Sequence, residues 1–187
     1  MNADKIILDL CGGTGAWSRP YKDAGYDVRL ITLPDNDVRT YQSPKNVYGI
    51  LAAPECTDFS VSGAQYWMLK DIDGRTIDSM GLVIACLRVI AQSQPSFWAL
   101  ENPVGRLSRW MGKYQLSFNP CDYGDAYTKR TYLWGIFNMP QTNPVNPVKV
   151  CSEGSWLMQL GGKSTRTKEL RSITPPGFAK AFFEANQ

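Results

Sequence analysis

The chain has 187 residues, 43% of them hydrophobic, enough to fill the core of one domain. A net charge of +3 is too mild for the field of the whole molecule to hold a polyanion, so any such contact needs local clusters of charge. Five cysteines at irregular spacing, with no Cys-x-x-Cys pair, argue against a disulfide framework and a zinc site, and the lack of histidine removes the usual general base and commonest metal ligand.

In chain order, Lys5 to Leu10 reads as a buried strand, and Cys11-Gly-Gly-Thr-Gly15 as a tight loop opening a helix from about Ala16 to Ala24. Asp27 to Leu33 reads as a second strand and Val47 to Ala53 as a third. Apolar residues at Ile77, Met80, Val83, Ile84, Leu87 and Ile90 suit an amphipathic helix over Thr76 to Gln92. Phe97 to Leu100 makes a fourth strand and Arg130 to Phe137 another. The Pro- and Asn-rich stretch from Asn138 to Pro147 is linker-like, and the basic, glycine-led stretch from Gly161 to Arg171 reads as a loop. Phe178 to Ala185 forms a last helix after Thr174-Pro-Pro-Gly. Strands alternating with helices imply an α/β fold with a largely parallel central sheet and helices on both faces. No signal peptide and no apolar run of about 18 residues stand out, so the expectation is a soluble, intracellular protein.

Three elements carry chemistry. The loop Asp9 to Gly15 places glycines at the carboxyl end of the first strand, the usual ligand crevice of such sheets, and so reads as a cofactor loop. It lacks the lysine of a phosphate loop, so a cofactor gripped through its amino acid and nucleoside parts fits better than a triphosphate. Cys56 lies in a polar turn after Pro54, followed by Thr57, Asp58 and Ser60, which suits a nucleophile, whereas Cys86 lies in an apolar helical stripe; Cys11, Cys121 and Cys151 read as structural. A thiol with an ordinary pKa of about 8.5 needs nearby positive charge or a proton acceptor, for which Lys129 and Arg130 are candidates. Glu101, after Trp98-Ala-Leu, is either a cap or salt-bridged acid, or one that grips a heterocyclic nitrogen.

Together these motifs resemble the cytosine-C5 DNA methyltransferases, most of all their compact, phage-type members, over nearly the whole chain. Asp9 to Trp17 is similar to the family's glycine loop, Pro54 to Ser60 to its Pro-Cys motif, Glu101-Asn102-Pro103 to its Glu-Asn-Val motif, and Tyr127 to Gly135 to the motif whose arginine touches the flipped cytosine, with Arg130 in that place. Ser172 to Asn186 is similar to the C-terminal segment that returns to the cofactor. The resemblance implies a Rossmann-like class I fold that uses S-adenosylmethionine, held by Asp9, Cys11, Gly12, Gly13, Gly15, Trp17, Thr32, Leu33, Asp37, Val38 and Pro54. It implies catalysis by Cys56, Glu101 and Arg130, with Thr57, Ser60, Asn102 and Lys129 at the substrate. It further implies DNA as partner, with no metal and no membrane, and base extrusion, at a cost of a few kcal/mol of unstacking.

The chain also departs from the family. Glu55 and Thr57 flank the cysteine where the family has proline and glutamine, Ala126 and Thr128 replace a glutamine and an arginine, and Thr32-Leu33 stand where an acid usually binds ribose. The expected organisation is one catalytic domain over residues 1–187, with only 138–171 in place of a target-recognition domain. Within it Lys163, Arg166, Lys168 and Arg171 suit phosphate contacts, which position without specifying sequence. A monomer in the cytoplasm of a bacterial or phage-infected cell is expected. The same chemistry on RNA or a free cytosine nucleotide, or a silent binding protein, are the alternatives.

Overall fold

The computed structural model describes residues 2–149, 156–160 and 164–187; the side chains of Met158, Gln159, Thr165 and Lys168 are not among the described parts. Six strands, β1 (Ile6–Leu10), β2 (Asp27–Ile31), β3 (Val47–Ala52), β4 (Phe97–Pro103), β5 (Leu116–Phe118) and β6 (Thr131–Ile136), form one sheet in the order β2-β1-β3-β4-β6-β5. The pairs among β1, β2, β3 and β4 are parallel, and β6 runs antiparallel between β4 and β5. The helices are α1 (Arg19–Asp23), α2 (Trp67–Ile72), α3 (Arg75–Ser93), α4 (Ser108–Met111), α5 (Thr165–Ser172) and α6 (Pro176–Ala185).

Alternation along each strand sorts the core into two layers. On one face Leu8, Leu10, Ile50, Ala52, Leu100 and Trp134 pack against Val83, Cys86, Val89 and Ile90 of α3. On the other Ile7, Leu51, Ala99 and Leu133 pack with Tyr21 of α1 and with Phe178 and Phe182 of α6. The strands are therefore apolar on both sides, as a covered parallel sheet requires. By length and composition α3 would also suit a membrane span, contrary to the reading of the sequence, but its buried stripe packs on the sheet as that of a core helix does.

Local differences from the sequence reading have identifiable causes. α1 begins at Arg19 rather than Ala16, because Gly15 takes φ 69° and Pro20 sits in the first turn. β4 runs on through Glu101 to Pro103 because β6 supplies ladder partners as far as Thr131. Part of the basic stretch expected to be a loop is α5, capped by the Ser164 hydroxyl, which accepts from the Thr167 amide at 3.2 Å. Residues 138–149 have no regular structure, yet the amides of Asn143, Val145 and Val148 donate to the carbonyls of Asp122, Cys121 and Ala126.

Candidate active site

The strand order reverses between β1 and β3, which opens a crevice at their carboxyl ends. The loop after β1 and the turn after β3 both emerge there. β4 brings Glu101 to the same edge, and Thr131 pairs with Pro103, so Lys129 and Arg130 enter the sheet at this edge too. A cavity of about 290 Å³, lined in part by Tyr48, Phe97, Ile136 and Phe137, lies at the opposite edge, away from these groups.

The Cys56 turn is held from several sides. The Cys56 carbonyl accepts from the amides of Phe59 and Ser60 at 3.0 and 2.9 Å. Asn102, 0% exposed, donates its side-chain amide to the Pro54 carbonyl at 3.1 Å. Gly105 passes so close that an added Cβ would lie 2.0 Å from the Phe59 carbonyl oxygen, and the Arg106 amide donates to that oxygen at 2.9 Å. Beneath the turn lies a buried polar network that the sequence did not reveal. Lys70 donates to the Thr57 carbonyl at 2.6 Å and pairs with Asp58 at 3.0 Å. Ser79 donates to the other Asp58 oxygen at 2.5 Å, and Arg106 donates to the Asp58 carbonyl, to Thr76 and to Asp71. Satisfied in this way, the buried charges fix the turn.

Burial and charge set the acidities. Cys56 is half-buried, and burial first, then the negative charges of Glu101 and Glu55, push its thiol up to about 11, against the opposing pull of Lys129. Burial likewise raises Glu101 above the usual carboxylate range, again opposed by Lys129. Glu55 is exposed and accepts a hydrogen bond from the Thr57 hydroxyl at 2.7 Å, while its charge still bears on Cys56. Lys129 is the cation that acts on both Cys56 and Glu101. Arg130, expected in this role, is exposed and acts on Tyr132, on the other side of the strand. Strand alternation separates their partners: Thr131 and Leu133 share the face of Glu101, whereas Tyr132, on which Arg130 acts, faces the other way.

The glycine loop is shaped around Asp9. Its carboxyl is fully buried, accepts from the Ser18 hydroxyl at 2.5 Å and leaves Oδ1 with no partner. Burial lifts its pKa to about 6. A Cβ on Gly12 would lie 2.1 Å from that oxygen, so only glycine fits there. Cys11 (φ 57°), Gly13 (φ 55°) and Gly15 (φ 69°) are all left-handed, and a Cβ on Gly13 would meet open space. At the end of β2, Leu33 is 63% exposed and Thr32 is half-buried.

Several expected ligand contacts turn inward instead. Trp17 is 2% exposed, with its ring against Phe178 and Phe182 of α6, and Val38 is buried in the α3 layer; both pack in the core. Asp37 is engaged by the backbone and side chain of Arg39. Asn102 positions the turn, and Ser60 accepts from the Ser62 amide, capping the next helical turn. Arg171 donates to the carbonyls of Leu157 and Leu160, and Arg166 is exposed on α5. Cys151, Lys163 and the side chain of Lys168 lie outside the described residues. Among the described residues no group of three or more Cys, Asp or Glu could hold a metal ion, and Cys11, Cys56, Cys86 and Cys121 are free thiols.

No family model matches the chain. No curated protein sequence matches it either. Among solved structures it is similar to a crystal structure from E. coli, named as a proposed DNA modification methyltransferase encoded within a prophage, with a TM-score of 0.51 and 18% identity. The match covers 77% of this chain and 52% of that one, so the chain spans about half the length of its structural neighbour. With the strand order β2-β1-β3-β4-β6-β5 and the single antiparallel β6, this similarity shows a Rossmann-like α/β fold shared with that neighbour.

Proposed function

We propose that the protein transfers a methyl group from S-adenosylmethionine to carbon 5 of cytosine in DNA. The observation that carries this reading is the meeting of Cys56, Glu101 and Lys129 on one sheet edge, beside a glycine loop whose buried Asp9 has an unpartnered oxygen. The prophage-encoded neighbour, by its name, acts in the same broad field.

The crevice fits the cofactor. Gly13 faces open space and lets the loop backbone approach a ligand, Gly12 makes room for the Asp9 carboxyl whose Oδ1 offers an acceptor, and exposed Leu33 offers an apolar platform at the end of β2. The cofactor supplies an electrophilic methyl group.

Cytosine carbon 5 is a weak nucleophile until carbon 6 carries an added group. Cys56 as thiolate adds to carbon 6 and the ring electrons move toward N3. Glu101, whose protonated form burial favours, donates its proton to N3 and becomes a carboxylate, so the charge brought in by the thiolate passes through the ring to Glu101. Lys129 offsets what negative charge remains. With S-adenosylmethionine held by the glycine loop, its sulfonium would supply the methyl group that the activated carbon 5 takes up. Water or a weak side-chain base takes the carbon 5 proton, the Cys56 sulfur leaves with its electron pair, and N3 returns its proton to Glu101. Asn102 and Lys70 keep the turn in place throughout.

Incubation with methyl-labelled S-adenosylmethionine and cytosine-containing duplexes should place label on carbon 5, and 5-fluorocytosine DNA should trap a covalent complex that Cys56→Ala lacks. Failure of both with every DNA tried overturns the reading.

A further inference from the structure

Beside the Cys56 turn lies an aromatic and cationic surface that the chemistry above does not use. Trp110 on α4 is 52% exposed, although its ring packs edge-on at 6.0 Å against Phe59, three residues after Cys56. The Arg106 guanidinium lies 5.0 Å from the Trp67 ring and 6.0 Å from that of Trp110, and the Arg109 guanidinium lies 5.7 Å from Trp67. Tyr66, next to Trp67 in sequence, is 53% exposed. Asp71 pairs with Arg106 and its charge also reaches Arg109, but exposed Arg109 and Lys113 make no ion pair among the described residues, so the patch keeps a net positive charge. The patch therefore joins the exposed Trp110 and Tyr66 rings to net positive charge. That combination suits a base flanked by a phosphate, because every base has a face to stack and the backbone is an anion.

We propose that this surface holds an unpaired nucleotide adjoining the target base, with Trp110 stacking on the base and Arg109 meeting its phosphate. The placement beside Cys56 rests on the function proposed above. The surface would give the chain a grip on nucleic acid that does not depend on residues 138–171. A base within a duplex is already stacked on both faces, so the surface favours a single strand or a locally opened one.

The test measures binding of a labelled single-stranded oligodeoxynucleotide carrying one cytosine, and of its duplex, across a salt series. Trp110→Ala should weaken single-strand binding roughly tenfold to a hundredfold and duplex binding far less. Trp110→Phe should keep most of the affinity. Arg109→Ala should lower the salt slope by about 0.7 for the single strand. Single-strand affinity within twofold of wild type in Trp110→Ala overturns the proposal, as does an equal loss on duplex. A change of oligomeric state in Trp110→Ala, seen by sedimentation with binding intact, also overturns it by making the face a contact between copies. Since binding is read without methyl transfer, a wild-type protein that binds as expected but fails the 5-fluorocytosine trap would sink the proposed chemistry and leave the surface standing.

Discussion

Asn102 and Pro54 are joined by a hydrogen bond of 3.1 Å across 48 residues of sequence, from a buried amide at the end of β4 to the carbonyl two residues before Cys56. Through it the strand that carries Glu101 also fixes the turn that carries the thiol. Asn102→Ala leaves the Pro54 carbonyl without its donor and should cost about 1–3 kcal/mol in urea unfolding. Asn102→Asp should lose methyl transfer more severely, because it not only removes the donor but sets a buried carboxylate against the carbonyl oxygen.

The Cys56 thiol, raised to about 11, is mostly protonated at neutral pH in the free protein. Alkylation of its peptide, followed by mass spectrometry, should accelerate about tenfold per pH unit from 7 to 10. Cys11, whose thiol is lowered chiefly by its hydrogen bond with Cys86, should reach its plateau at lower pH. Glu101→Gln removes a negative neighbour and should make Cys56 alkylate faster at pH 8, while slowing methyl transfer.

Lys129 and Arg130 separate by side-chain direction. Lys129→Ala should raise the Cys56 thiol further and reduce methyl transfer on the order of a hundredfold. Arg130→Ala should leave the alkylation profile of Cys56 unchanged. Equal effects on that profile would place Arg130 in the crevice after all.

The Asp9 carboxyl is raised by burial to about 6, against about 3.8 when unfolded. Between these values the native state keeps a proton that the unfolded chain has released, so the contribution of Asp9 to stability is greatest below about pH 4 and declines as pH rises through about 6. The full change is about 3 kcal/mol. Asp9→Asn should remove this slope from urea-derived stabilities while lowering cofactor affinity in calorimetry.

Lys70 and Asp58 form a buried ion pair directly under the Cys56 turn. Lys70→Met strands the Asp58 carboxylate and should cost about 3–5 kcal/mol, whereas Lys70→Met with Asp58→Asn should recover much of that loss. Both variants should change the alkylation rate of Cys56, since each removes the ammonium that donates to the Thr57 carbonyl.

Strands β1, β3 and β4 were legible because buried parallel strands leave short apolar runs, and α3 because its stripe repeats at helical spacing. β5 was not, since three residues carry no period and its pairing depends on β6. The glycine loop and Cys56 could be singled out as chemistry. Lys70 and Arg106 could not, because a lysine or arginine in a polar stretch reads as surface, and only partners 13 to 48 residues away show that they are buried. For the same reason Trp17 and Val38 looked available to a ligand until α6 and α3 covered them.

By itself the sequence determined the alternation of strand and helix, the inventory of one thiol, one acid and two cations near the strand ends, and the glycines that permit left-handed turns. Those properties are local, since they depend on side-chain period and backbone freedom over a few residues. The tertiary structure decided which cation faces the crevice, because the pairing of β4 with β6 sets the side on which each residue emerges and one position reverses it. It also decided the acidities of Cys56, Glu101 and Asp9, because desolvation comes from groups brought together by packing, and no stretch of sequence contains them.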